Sequence, residues 1–396
     1  MAHPIEVYQC ANCKFPQCKD ICPTDALAVD GPPWRATLSA QECFACGQCA
    51  RLISPDAPHH CTGIHVSEDH LKRVTEWIKQ RRDLAVIIGP GLESCSDWVD
   101  LSRISTAWRR LGAIVVIRAI DLAGHVRTEI VREVKVRLKK GEPFVIDSRC
   151  GAIRNLVENF YPKLSSHLIK TDSTLFAAAR KARSLAPEGC RVLFLGPCTA
   201  YKRVVDEATS APVDAVLTWS EFETICARQG ITLSKLPQSE FDDIGMQCRE
   251  APIAGDVASE LRGVNITTEV CGEYTPAQMV SYFDAIHLRE LPQEPSGFIS
   301  PFLCGDCYRG PGIYAAWRSC RKEDAFSWIR KTIPAYLPAD GELDVVYERL
   351  NNLEEAQGSM RYPALCKEFI ADLANTITVA PVVSQVAGAL LSVLLL

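Results

Sequence analysis

Cysteine dominates the chemistry open to this chain, with 19 thiols among 396 residues. Eight of them fall within the first 61 residues, in two runs. Cys10, Cys13, Cys18 and Cys22 are separated by two, four and three residues, and Pro23 follows the last of them. Cys43, Cys46 and Cys49 are separated by two residues each, and Cys61 follows after eleven more. Thiolates are soft ligands, and sets of four suit iron–sulfur clusters or zinc. Eight in one short stretch exceed any packing need, and interlocked runs suit cubanes better than tetrahedral zinc. Short gaps let one run supply three ligands, while the proline ends the first run and lets Cys22 cross to the other. His59 and His60 beside Cys61 read as solvated loop residues; a histidine ligand there would raise a cluster's potential.

Four further thiols, Cys150, Cys198, Cys304 and Cys307, need a scaffold to bring them together. From about residue 70 short apolar runs alternate with amphipathic stretches. Leu84–Ile88, Ala113–Ile117, Phe144–Ile146, Val192–Leu195 and Ala215–Leu217 read as buried strands. Val126–Lys140, with Ile130, Val131, Val134 and Leu138 among charges, reads as a helix between them. Such alternation means an α/β fold with a mostly parallel sheet, in which ligands bind beyond the carboxyl ends of strands. "PFVIDSRC" and "RVLFLGPC" run off two strands onto Cys150 and Cys198, and "SPFLCGDCYRGPG" carries Cys304 and Cys307 in a Gly/Pro-rich loop. Three loops with four thiols can converge on one cluster.

The composition sets outer limits. Apolar residues make up 47% and charged residues 23%, which fits a chain with a packed core rather than a disordered one. A net charge of −5 argues against a nucleic-acid partner. The odd thiol count and the length do not suit a secreted disulfide scaffold, and Met1–Glu6 lacks the pattern of a secretory signal. A cytoplasmic, reducing or anaerobic setting is the expectation.

The first run, with "CPTDALAVDG" behind it, resembles a two-cluster bacterial ferredoxin. Its four-residue gap resembles the electron-transfer subunits of membrane and formate oxidoreductases. The resemblance implies one [4Fe–4S] cluster on Cys10, Cys13, Cys18 and Cys61, and a second on Cys22, Cys43, Cys46 and Cys49. No second Cys-Pro follows Cys49, a departure that bears on the eighth ligand. The stretch from about 84 to 315 is similar to the catalytic domain of [FeFe]-hydrogenases and their non-catalytic relatives. "DSRCGAIRNLVENFYPKL", "LGPCTAYKRVVDE" with its trailing segment, and "FLCGDCYRGPG" stand in the places of that family's three cysteine motifs. This implies a third [4Fe–4S] cluster on Cys150, Cys198, Cys304 and Cys307, and in the active family one thiol that bridges to a diiron site carrying CO and cyanide.

The second half of that site is where the sequence departs. A proton-relaying cysteine of the first motif is replaced by Arg149, which cannot release a proton at working pH. A lysine that donates to a diatomic ligand is replaced by Tyr201; Lys202 is adjacent, but one residue along a helix turns a side chain by about 100°. A glutamate is replaced by Val204, a methionine by Phe302, and the third motif's gap is two residues instead of three. Loss of the surrounding partners removes what holds and tunes such a centre. The departures point to a divergent, non-catalytic member that keeps a cubane without the diiron subcluster. Cys95, Cys190, Cys226, Cys248, Cys271, Cys320 and Cys366 show no ligand spacing and read as packing residues.

The expected architecture is therefore a ferredoxin-like domain (1–70), a hydrogenase-like α/β body with mostly parallel sheets (71–335), and a C-terminal helical region (336–396). After Asp372 no charge occurs through Leu396. The strongly apolar part is shorter than the roughly 20 residues a membrane helix needs, so docking is preferred to membrane association through 373–396. The expected function is an electron-transfer protein with three [4Fe–4S] clusters, serving a redox partner protein or the catalytic subunit of a larger oxidoreductase complex. An active ferredoxin-type [FeFe]-hydrogenase, and a sensor or iron–sulfur assembly factor, stay open.

Overall fold

A computed structural model describes residues 4–7, 18, 21–31, 35–49, 63–89, 101–242 except 197 and 209, 256–289 except 275, 291, 295–303, 330, 342–356 and 362–376. The chain divides into two compact units, Met1–Trp317 and Arg318–Leu396. The first begins with two small antiparallel pairs. β1 (Ile5–Val7) pairs with β4 (Ile64–Val66), and β2 (Leu27–Asp30) with β3 (Arg35–Leu38). Ile5, Leu27, Ile64 and Cys18 make their common core, with Cys22 and Cys49 packed against it.

After α1 (Asp69–Lys79) comes a four-stranded parallel sheet in the order β6-β5-β8-β9, formed by β5 (Leu84–Ile88), β6 (Ala113–Arg118), β8 (Arg191–Leu195) and β9 (Ala215–Leu217). Every residue of β5 is buried, because helices cover both faces of the sheet. Leu84, Val86 and Ile88 share one core with Trp108 of α2 (Leu101–Arg110) and with Trp219 and Phe222 of α7 (Trp219–Arg228). Ala85 and Ile87 face the other way, toward Ala178, Ala179 and Ala182 of α5 (Thr174–Leu185). Alanines on that helix face let it approach closely. Trp108 and Phe222 stack at 5.0 Å between centroids.

A second parallel sheet, in the order β10-β11-β7, joins β7 (Phe144–Ile146) to β10 (Thr268–Tyr274) and β11 (Gly297–Leu303). Phe144, Ile146 and Ile299 pack with Ile153 and Leu156 of α4 (Gly151–Phe160) and with Met279 and Phe283 of α9 (Pro276–Leu288). Val145 and Phe298 pack on the other face with α3 (Ala123–Lys139) and α8 (Asp256–Arg262). All five expected strands form, and the expected helix 126–140 is the body of α3. β10 and β11 were not foreseen, since Gly272 and Pro301 interrupt their apolar patterns.

The second unit contains α10 (Glu342–Glu355) and α11 (Tyr362–Thr376), which pack on one another through buried Leu350, Leu353, Phe369 and Leu373. Among the described residues no helix is long and apolar enough to cross a membrane. The apolar tail from 377 onward lies outside the described residues.

Candidate metal centre

Three cysteine motifs leave the carboxyl ends of three parallel strands drawn from both sheets. β7 ends at Ile146, and a strap of three residues leads to Cys150, the residue capping α4. β8 ends at Leu195, and Cys198 precedes α6 (Ala200–Glu207). β11 ends at Leu303, the residue before Cys304.

Cys150 is buried, and burial raises its thiol above the ordinary range. The backbone N–H groups of Leu303, Ile153 and Ala152 lie against the sulfur and pull the other way, favouring thiolate. Leu303, the last residue of β11, thus lies against Cys150. Cys198 is half-buried, and its Sγ accepts the N–H of Ala200 at 3.4 Å. Thr199 between them is fully buried, and its hydroxyl has no partner among the described residues.

The second N-terminal run docks on the same place. Cys46 and Phe44 lie in one apolar cluster with Cys150, and Cys198 packs against it. Arg203 of α6 donates to the carbonyl of Cys43. Asn155 of α4 donates to the carbonyls of Phe44 at 3.2 Å and Ala200 at 3.4 Å. Ala45 and Gly47 adopt left-handed conformations, φ +57° and +75°, and the Ala45 N–H reaches the Cys43 Sγ at 3.4 Å. A non-glycine residue in that region costs about 1 kcal/mol or more and tends to mark a functional loop. Burial pushes the Cys43 thiol up to about 11, and the neighbouring Cys22 adds to the rise.

The substituted positions are engaged with one another. Arg149 is buried and pairs with the fully buried Asp147, Nη2 to Oδ2 at 2.8 Å, with Nε within 3.2 Å of both carboxylate oxygens. Asp147 also receives the Arg149 backbone N–H at 3.0 Å and the Ser300 hydroxyl at 2.9 Å. The Tyr201 hydroxyl donates to the Arg149 carbonyl at 2.7 Å. Lys202 turns elsewhere, as the helical rotation requires, and binds Glu221 at 2.5 Å and the Ser67 carbonyl at 3.0 Å. Val204 is buried in the core beside the first sheet.

Cys10, Cys13, Cys61, His59, His60, Cys304 and Cys307 lie outside the described residues, as does the side chain of Phe302. So do Cys95, Cys248 and Cys320, and the side chain of Cys271. Cys190, Cys226 and Cys366 are buried, the first two within the cores on either face of the first sheet. Among the described residues no three Cys, His, Asp or Glu side chains are gathered on a point that would hold a single metal ion. Asp147, Asn155, Arg203 and Ser300 were not singled out from the sequence. Only Asp147 carried a signal there, an acid two residues before an arginine at a strand end.

Residues 88–281 match the family described as iron only hydrogenase large subunit, C-terminal domain. Across that stretch the chain is similar to the iron-only hydrogenase family. A single-residue variant of [FeFe]-hydrogenase HydA1 from Chlamydomonas reinhardtii is similar in structure, with TM-score 0.50 and 14% identity over 63% of this chain and 88% of that one. An apo variant of the same enzyme gives TM-score 0.46 over the same shares, also at 14% identity. No curated protein sequence matches the chain significantly. The hydrogenase-family segment contains Cys150 and Cys198, and β11 with the third motif follows it. Among the described residues, Cys150 and Cys198 at two strand ends, with sulfurs that receive backbone N–H, suit an iron–sulfur group.

Proposed function

We propose that this protein is an iron–sulfur electron carrier built on the hydrogenase fold, with a [4Fe–4S] cubane on Cys150, Cys198, Cys304 and Cys307 and no diiron chemistry. The observation that carries the reading is the bond between the two substituted positions. Arg149 and Tyr201, standing where a proton relay and a ligand anchor would be, are tied to each other and to Asp147. Neither a guanidinium nor a tyrosine bound in this way replaces a titrating thiol or a free ammonium.

Two further cubanes, on Cys10, Cys13, Cys18 and Cys61 and on Cys22, Cys43, Cys46 and Cys49, complete the set. When bound, such groups supply one-electron uptake and release. The chain's own part is positioning. Asn155 and Arg203 fix the 43–46 loop on α4 and α6, so Cys46 and Cys150 share one packed apolar cluster. The partner is a redox protein or the catalytic subunit of a larger complex, in a reducing, cytoplasmic setting.

The test is anaerobic co-expression with the maturation enzymes that build diiron centres, followed by infrared spectroscopy and iron analysis. About twelve irons per chain, three cubanes of four, with no CO or cyanide bands is the expected result. Such bands, with hydrogen evolution from reduced viologen, would replace the proposal with an active hydrogenase. Co-purification with apo iron–sulfur clients would favour an assembly factor.

A further inference from the structure

Arg149 and Tyr201 do more than occupy two positions; with Asp147 they tie the segments next to Cys150 and Cys198 to β11, the strand that precedes Cys304 in sequence. Arg149 itself precedes Cys150. Its carbonyl accepts the hydroxyl of Tyr201, three residues after Cys198. Its guanidinium holds Asp147, which in turn accepts the hydroxyl of Ser300, four residues before Cys304. The Asp147 N–H donates to the Ile299 carbonyl at 2.8 Å, so the strap and β11 are joined by backbone as well. Both carboxylate oxygens of Asp147 are satisfied, although the residue is fully buried.

We infer that Asp147, Arg149, Tyr201 and Ser300 form a clamp that holds the three thiol loops at ligating distance and sets the charge beside the cubane. The inference rests on the proposed cubane and concerns how this chain secures it. In a family where a second metal group shares the site, loops have that group to gather around. Here the same loops are tied by protein bonds. The clamp residues are positioning residues, not ligands.

The clamp is close to neutral, one guanidinium against one carboxylate, and this gives a readout that plain structural support would not move. Arg149→Gln leaves the Asp147 charge beside the cluster; an added electron is then disfavoured, and the potential of that one cluster falls. Asp147→Asn leaves the Arg149 charge, and the same potential rises. Arg149→Lys keeps the charge but loses the fork, so it weakens cluster retention with little change in potential. Tyr201→Phe removes one hydrogen bond and should speed iron release to a chelator about fivefold, the factor that one such bond represents.

Redox titration followed by electron paramagnetic resonance, on the full chain with its clusters loaded, reads these effects. The signal removed by Cys150→Ser identifies the body cluster, and the N-terminal signals serve as internal controls. Opposite shifts for Arg149→Gln and Asp147→Asn support the clamp. About twelve irons with unshifted or parallel potentials, and unchanged chelation of Tyr201→Phe, overturn the clamp while leaving the cubane. About eight irons in the unsubstituted protein overturn the cubane and the clamp with it.

Discussion

Replacing Lys202 by methionine tests whether this lysine belongs to the core or to the metal centre. Its ammonium is 1% exposed and sits 2.5 Å from the Glu221 carboxylate, with a second bond to the Ser67 carbonyl. Glu221 in turn receives the N–H of Thr218 at 2.8 Å and its hydroxyl at 2.9 Å, closing the start of α7. Methionine preserves the aliphatic stem, so the loss is that of the charge and not of a cavity. Breaking one side of a buried ion pair costs about 3–5 kcal/mol, because the remaining charge stays in the interior. Thr218 still supplies two donors to Glu221, which argues for the lower end, about 3 kcal/mol. In a unit of this size that lowers Tm by roughly 4–5 °C. Scanning calorimetry on cluster-loaded protein under argon measures it. Adding Glu221→Gln should recover part of the loss, because no unpaired carboxylate is then left. Unchanged melting together with an altered visible or paramagnetic spectrum of the body cluster would refute the reasoning. Lys202 would then face the metal, and the placement of Tyr201 at the anchor position would be wrong by one residue.

Three other outcomes follow from the same geometry. Burial raises the Glu133 carboxyl, but the N–H groups of Lys170 and Thr171, the Thr171 hydroxyl and Arg137 outweigh it and hold it below its ordinary 4.5. Its contribution to stability is therefore present above pH 4.5 and is lost as pH falls through the lower folded value, so Glu133→Gln should melt lower at neutral pH and converge with wild type in acid. Burial, helped by Glu223, pushes the Cys226 thiol from 9.0 up to about 12. The unfolded chain then ionises first, and this thiol's share of stability should fall by about 1.4 kcal/mol per pH unit above 9, so Cys226→Ala should make alkaline melting curves shallower by that share. Gly297 has φ +78°, and a Cβ there would stand 2.1 Å from the Thr267 carbonyl oxygen. Gly297→Ala should cost at least about 3 kcal/mol by forcing β11 off β10, and iron analysis should show fewer body clusters because β11 carries the third motif.

The strands legible in the sequence were those buried on both faces. β5, with all five residues inside, presents an unbroken apolar run that only a covered parallel strand tolerates. β11 failed that test because Pro301 and Ser300 interrupt it, yet Ser300 is there to reach Asp147. A polar residue serving the site looks, in sequence, like a break in a strand. The same holds for Asn155 and Arg203, which meet the 43–46 loop from 111 and 160 residues away. No local pattern encodes such a contact. Thiol spacing, by contrast, needs no long-range contact to be read, since three closely spaced sulfurs share a neighbourhood whatever the fold.

That neighbourhood also separates metal ligation from thiol chemistry. Reactive cysteines, whether redox sensors or nucleophiles, are partly exposed and have lowered pKa values. Cys43 and Cys150 are the opposite: both are buried, and burial raises both thiols, Cys43 to about 11. Left as free thiols they would be protonated and slow at neutral pH. Yet backbone N–H groups are aimed at them, from Ala45 onto Cys43 and from Leu303, Ile153 and Ala152 onto Cys150, and such donors stabilise the thiolate more than the thiol. A buried sulfur prepared for a charge it does not hold at neutral pH needs a cation to displace its proton, and metal binding supplies that displacement. With the proposed cubane bound, desolvation would favour the iron–thiolate bond instead of opposing it, because the charge is neutralised where it forms. The burial that makes these residues poor nucleophiles is what suits them to hold an iron–sulfur group.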